Sequence, residues 1–146
     1  MRRSAHSRKR VLIDTGAFYA FADASDAHHA DAVAIFSVLM GNRDFLFTTS
    51  FVVAETHALL LNRLNQSAAT QFLQDMEEGT QISVIWVIPT DVKQARTLIY
   101  RFADKKFSLT DATSFIVMER LQLSHAFTFD RNFTQYGLTV LTPAAV

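Results

Sequence analysis

Val11-Leu12-Ile13-Asp14-Thr15-Gly16 opens with an apolar run too short to be anything but a buried strand, and it closes on an acid and a glycine. An acid at the carboxyl edge of such a strand stands where open α/β sheets place their ligands. Further strand-like runs follow at Phe45 to Thr48, at Ile82 to Ile88 before Pro89, at His125 to Phe129 before Asp130, and at Leu138 to Leu141 before Pro143. Helical periodicity fills the intervals. It predicts helices over residues 15–24, from a cap at Asp26 to Gly41, from a cap at Ser50 to about Leu61, from Ser67 to Gly79, from Thr90 to Phe102, and from Ser108 to Leu121. Strands alternating with helices imply right-handed crossovers and a parallel sheet covered on both faces, an α/β fold.

At 146 residues the chain is expected to be one domain. It contains no cysteine, which excludes disulfides, thiolate catalysis and cysteine zinc sites. No apolar run approaches the roughly 20 residues of a membrane span, and no secretory h-region precedes the first strand. The default location is the cytoplasm. Residues 1–10 read as a basic leader, with Arg2, Arg3, Arg8, Lys9 and Arg10, expected either to be disordered or to act as a phosphate-contacting arm. The domain proper, 11–146, then holds nine basic against fourteen acidic residues, a net charge of −5. Attraction for a polyanion must therefore come from local patches, bound cations, the leader or a partner.

Four acids occupy comparable edges or first turns: Asp14, Glu55, Asp111 and Asp130. Each has a structural explanation of its own. Asp14 could cap the following helix, Asp111 could complete a capping box with Ser108, and Asp130 could start a turn. Glu55 sits one turn into an otherwise apolar helix, where its carboxylate would be poorly hydrated unless something at the sheet edge pairs with it. Taken together, acids about 5 Å apart would repel by roughly 3 kcal/mol per pair at an effective dielectric of 20. Convergence would demand protonation or a cation, and oxygen-only ligands select Mg²⁺ or Mn²⁺. Such an ion activates water and neutralises phosphate charge, the requirement of phosphodiester hydrolysis.

The segments Val11-Leu12-Ile13-Asp14-Thr15, Thr49-Ser50-Phe51-Val52-Val53-Ala54-Glu55, Leu109-Thr110-Asp111-Ala112 and Phe127-Thr128-Phe129-Asp130-Arg131-Asn132-Phe133 resemble, in order and spacing, those of the PIN-domain family. Within it they resemble the VapC-like toxin ribonucleases of VapBC toxin–antitoxin systems. The resemblance implies a three-layer sandwich around a parallel sheet of about five strands. It also implies Mg²⁺- or Mn²⁺-dependent endoribonuclease cleavage of single-stranded RNA, leaving a 5′-phosphate and a 3′-hydroxyl. By the same resemblance Asp14, Asp111 and Asp130 are metal ligands, and Glu55 holds a metal-bound water or a second ion. Thr15 and Thr128 become supporting hydroxyls, and Arg131 a phosphate contact or a solvated turn residue. Homodimerisation and neutralisation by a small antitoxin are further implications. The basic leader departs from the toxin pattern.

His28 and His29, adjacent and so about 100° apart on a helix, read as surface or helix-start packing, and His57 and His125 as residues without a ligand role. The phenylalanines fall mostly on periodic positions and fill the core, with Phe107 and Phe133 kept as candidates for base stacking. Asp14-Thr15-Gly16 also matches the signature of retroviral-type aspartic proteases, but that fold is all-β. Gly16 stands where a haloacid-dehalogenase phosphatase needs its second acid. The remaining alternative is a catalytically silent PIN-like domain that binds RNA or protein.

Overall fold

The computed structural model describes residues 7–146. In chain order the elements are β1 (Arg10–Ile13), α1 (Thr15–Ala22), α2 (His29–Gly41), β2 (Phe45–Thr49), α3 (Ser50–Arg63), α4 (Gln66–Glu78), β3 (Ile82–Ile85), α5 (Pro89–Arg101), α6 (Leu109–Leu121), β4 (His125–Phe127), α7 (Arg131–Tyr136) and β5 (Thr139–Val140). Every strand pair is parallel, in the order β3-β2-β1-β4-β5. The α/β expectation of about five parallel strands therefore holds.

Strand alternation divides the core into two layers. Val11 and Ile13 of β1, with Phe127 of β4, face the side carrying α1 to α4, where Phe18, Ile35, Leu39, Val52, Leu60 and Phe72 complete the packing. Leu12 and Ala126 face the other side, against Ala95 and Leu98 of α5, Phe115 and Met118 of α6, and Phe133 of α7. β1 lies in the middle of the sheet and its three apolar residues are fully buried.

Several boundaries differ from the sequence expectation, each for a local reason. β3 stops at Ile85 because the next backbone groups leave the ladder: Val87 N–H donates to Ser50 Oγ and Ile88 N–H to Asp91 Oδ2. Trp86 is left 76% exposed. Thr49, not Ser50, caps α3 by accepting Val52 N–H, and Asn65, not Ser67, caps α4 by accepting Ala68 N–H. Asp26 stands before α2 rather than at its cap, accepting the His28 N–H in a turn. The short α7 was not anticipated, since six residues carry too little periodicity to register.

Part of the basic leader is bound to the domain. Arg10 belongs to β1, Lys9 donates its N–H to Asp44 Oδ1, and Arg8 donates Nε–H to the Arg43 carbonyl while lying over the Phe45 ring. Arg2 and Arg3 lie outside the described residues.

Candidate active site

The register of β1 on β4 builds the first half of the site. Ile13 pairs with Phe127, so the residues after them, Asp14 and Thr128, come side by side at the carboxyl edge. Asp14 N–H continues the ladder onto the Phe127 carbonyl, and Thr128 Oγ1 donates to Asp14 Oδ2 at 2.9 Å. Asp14 makes no side-chain cap on α1, so helix capping does not account for it. Burial pushes its carboxyl up to about 7; the Thr128 hydroxyl and the Thr15 backbone oppose the rise, and the charges of Asp111 and Glu55 add to it.

The second half comes from the start of α6. Ser108 Oγ accepts Asp111 N–H at 3.0 Å and Asp111 Oδ2 accepts Ser108 N–H at 3.1 Å, a complete capping box. Asp111 is nonetheless tied to the site. Its Oδ2 also accepts Asn132 Nδ2–H at 3.0 Å, and the same amide group donates to the Lys106 carbonyl at 3.1 Å. Burial raises the Asp111 carboxyl, the Asn132 and Ser108 hydrogen bonds oppose the rise, and the charge of Asp130 assists it.

Asp130 is exposed and caps α7, its Oδ1 accepting Asn132 N–H at 2.9 Å. Its own N–H is held by Thr128 Oγ1 at 3.0 Å. Asn132 thus links Asp130, Asp111 and the loop before α6, a role sequence reading missed. Its position two residues after Asp130, where a side-chain amide can reach past the cap, was the available signal.

Glu55 does not lie in the dry environment expected of it. α3 buries Val52, Thr56 and Leu60 at four-residue spacing, and Glu55 falls beside that stripe, exposed. It still acts on Asp14 through its charge. Thr15 is buried, and its Oγ1 has no hydrogen-bond partner. Arg131 is exposed at the start of α7.

Electrostatically the four acids form a chain, with Glu55 and Asp111 acting on Asp14 and Asp130 acting on Asp111. Among the described residues, however, no three His, Cys, Asp or Glu side chains already enclose a point that could hold a metal ion. A Mg²⁺-like site does not require such a cage, because that ion keeps several waters and is held by one or two carboxylates. The residues fit a hard cation in three respects. The donors are all oxygens; among the described residues Asp14 is a buried acid beside other acids with no cationic side chain paired to it, and the Thr15 hydroxyl next to it is unpartnered. α1, α3 and α7 start at this edge directly after Asp14, Thr49 and Asp130, and their N-termini favour negative charge there.

The stacking candidates are corrected. Phe107 and Phe133 are 7% and 0% exposed and meet the Phe115 ring edge-on, so both are core residues. His28 stacks on Phe129 and His29 Nδ1 pairs with the Ala20 carbonyl, in keeping with helix-start packing.

A model of the PIN domain family matches residues 11–138. A VapC ribonuclease of Archaeoglobus fulgidus is 34% identical over 126 residues, 85% of this chain and 79% of that protein. The 23S rRNA-specific endonuclease VapC20 of Mycobacterium tuberculosis is 28% identical over 133 residues, 91% of this chain and 98% of that protein. The crystal structure of VapC20, described as a sarcin-ricin loop cleaving toxin, superposes with a TM-score of 0.82, covering 91% of this chain and 99% of that one. FitAcB from Neisseria gonorrhoeae, at 16% identity and a TM-score of 0.63, shares the fold over 93% of this chain and 99% of its own.

Proposed function

The chain belongs to the PIN domain family, and from that premise we propose that it is a divalent-metal-dependent endoribonuclease acting on single-stranded RNA, the toxin of a toxin–antitoxin pair. The observation that carries the reading is Asp14, a buried carboxylate held up to about 7 by its surroundings and by neighbouring acids, at the sheet edge where ligands bind. Relatives named as ribonucleases support RNA as the substrate class.

Asp14 and Asp111 are the principal ligands in this reading, with Asp130 a third carboxylate reaching the ion directly or through water. Bound there, Mg²⁺ or Mn²⁺ supplies an acidified water and neutralises charge on the scissile phosphate. The chain's own residues do the rest. Thr128 fixes the Asp14 carboxylate by its hydroxyl, and Asn132 fixes Asp111 by its amide. Glu55, exposed at the rim, would hold the attacking water or a second ion; as the water's oxygen joins phosphorus it gives up a proton to solvent, and the departing 3′-oxygen takes one up to leave as a hydroxyl. Thr15 adds a buried hydroxyl beside Asp14, and Arg131 offers a guanidinium to a flanking phosphate.

A small antitoxin and a second copy of the chain are the protein partners this reading brings with it, and RNA as the substrate makes the cytoplasm its place of work. The test is cleavage of a defined RNA panel with Mg²⁺, with Mn²⁺ and with EDTA, comparing the native chain with Asp14→Asn and Asp111→Asn. Divalent-dependent cleavage lost in both variants supports the assignment. Full activity in both overturns the site assignment, and a native chain that cleaves no RNA with either ion leaves a silent domain of the same fold.

A further inference from the structure

The domain from residue 11 onward carries nine basic residues, and five of them fall between positions 93 and 106: Lys93, Arg96, Arg101, Lys105 and Lys106. The only acid in that interval is Asp104, which pairs with Lys105 at 3.7 Å. Among the described residues Lys93, Arg96, Arg101 and Lys106 form no ion pair. An acidic body has thus concentrated its positive charge on one helix and the loop that follows it.

That helix leads to the active site. Asp91 in the first turn of α5 is gripped by Arg120 in the last turn of α6, through Nε–H at 2.9 Å and Nη2–H at 2.8 Å. The two helices therefore run antiparallel, and the end of α5 comes level with the start of α6, where Asp111 stands. Lys93, Thr97 and Arg101, at four-residue spacing, line one wall of a groove of about 510 Å³ between α5, α6 and α7. The one acid lining it, Glu119, already accepts the Tyr136 hydroxyl. Beyond Arg101 the chain reaches Lys106, whose carbonyl is bonded to the same Asn132 amide that holds Asp111.

We propose that the α5 face from Lys93 to Arg101, continued by Lys105 and Lys106 to the start of α6 beside Asp111, is a docking track for the phosphate backbone of single-stranded RNA beside the scissile bond. The inference rests on the ribonuclease reading and names where the rest of its substrate lies. The charge argument is direct. The described residues 7–146 hold twelve basic against fourteen acidic residues, so the body as a whole offers RNA no attraction, and the acids at the cleavage edge repel it. Cations in a row leading to that edge, four of the five without an ion pair among the described residues, supply the missing attraction without sequence preference. Tyr100, 68% exposed on the same helix, adds a ring for a base.

The experiment measures binding of oligouridylate in EDTA, as a function of salt, for the native chain and for the double variant Lys93→Gln, Arg101→Gln. Loss of two phosphate contacts should lower the slope of log K against log salt by about 1.4 and weaken binding about tenfold, equally for oligouridylate and oligoadenylate. Mg²⁺-dependent cleavage of a very short RNA, which cannot reach the track, should be unchanged in the double variant. An unaltered salt slope overturns the track, and so does displacement of RNA by polyglutamate in the native chain but not in the variant, which would mark a site for an acidic protein. A native chain that binds oligouridylate with the expected slope but cleaves no RNA would sink the nuclease reading and keep the track.

Discussion

Thr128 Oγ1 donates to Asp14 Oδ2 at 2.9 Å, joining residues 114 positions apart in the chain. The same hydroxyl accepts Asp130 N–H at 3.0 Å, so its single proton is committed to Asp14. One threonine thereby sets the orientation of one site acid and the backbone position of another.

Thr128→Val keeps the shape of this side chain and removes both hydrogen bonds. Cleavage should fall, and the Mg²⁺ concentration for half-maximal rate should rise, by roughly 10- to 100-fold, as when a partner that orients a metal ligand is lost. Thr128→Ser should recover most of both. Metal titrations of the initial rate in the three proteins check this; a valine variant with native metal dependence would refute it.

Asp14 makes the metal-free protein sensitive to pH in a defined direction. Burial holds its folded carboxyl up to about 7, well above the 3.8 ordinary for an aspartate, so folding disfavours the charged form. The penalty is absent below about pH 4, grows as pH rises through the interval and is complete above 7, where it amounts to about 4 kcal/mol. Asp14→Asn should remove it, and the stability difference between variant and native chain should widen between pH 4 and 7 in EDTA. Urea denaturation at several pH values measures this, and Mg²⁺ should narrow the gap by stabilising the native chain alone.

Asn132→Asp replaces the amide donor by a third carboxylate beside Asp111 and Asp130. The Asp111 orientation is lost and like charges are added, so cleavage should drop at least as far as in Asn132→Ala, with a higher Mg²⁺ requirement in both. The fold should survive, since Ser108 still closes the capping box on Asp111. Rate against Mg²⁺ for both variants, beside their circular dichroism spectra, separates a positioning role from unfolding.

Arg120→Ala leaves Asp91, itself 1% exposed, without its guanidinium partner. Ile88 N–H remains as a donor, and the Arg120 side chain is 37% exposed, so the loss should sit near the low end for breaking a buried pair, about 3 kcal/mol. A shift in the urea midpoint checks it. A loss under about 1 kcal/mol would show the pair to behave as a surface salt bridge.

Much of this protein was legible in its residues because buried strands and amphipathic helices write their periods locally. Val11-Leu12-Ile13 could only be a buried strand, and alternation of such runs with helical stretches implied a layered parallel sheet. Asp14 and Asp111 stood out because acids end or begin elements that are otherwise apolar. Local chemistry misled where two uses of one side chain compete. Thr49 rather than Ser50 caps α3, Phe107 and Phe133 turn inward, and β3 ends early because side chains of Ser50 and Asp91 claim its next amides.

The sequence alone determined the layers and the buried strand that ends on Asp14, since each follows from spacing within one segment. Tertiary structure alone decided that Thr128 meets Asp14, that Asn132 holds Asp111, that Glu55 faces water, and that α5 runs antiparallel to α6 with Asp91 gripped by Arg120. These depend on strand register and on the packing of α5 against α6. Such relations join residues distant in the chain, through contact energies that no local period records.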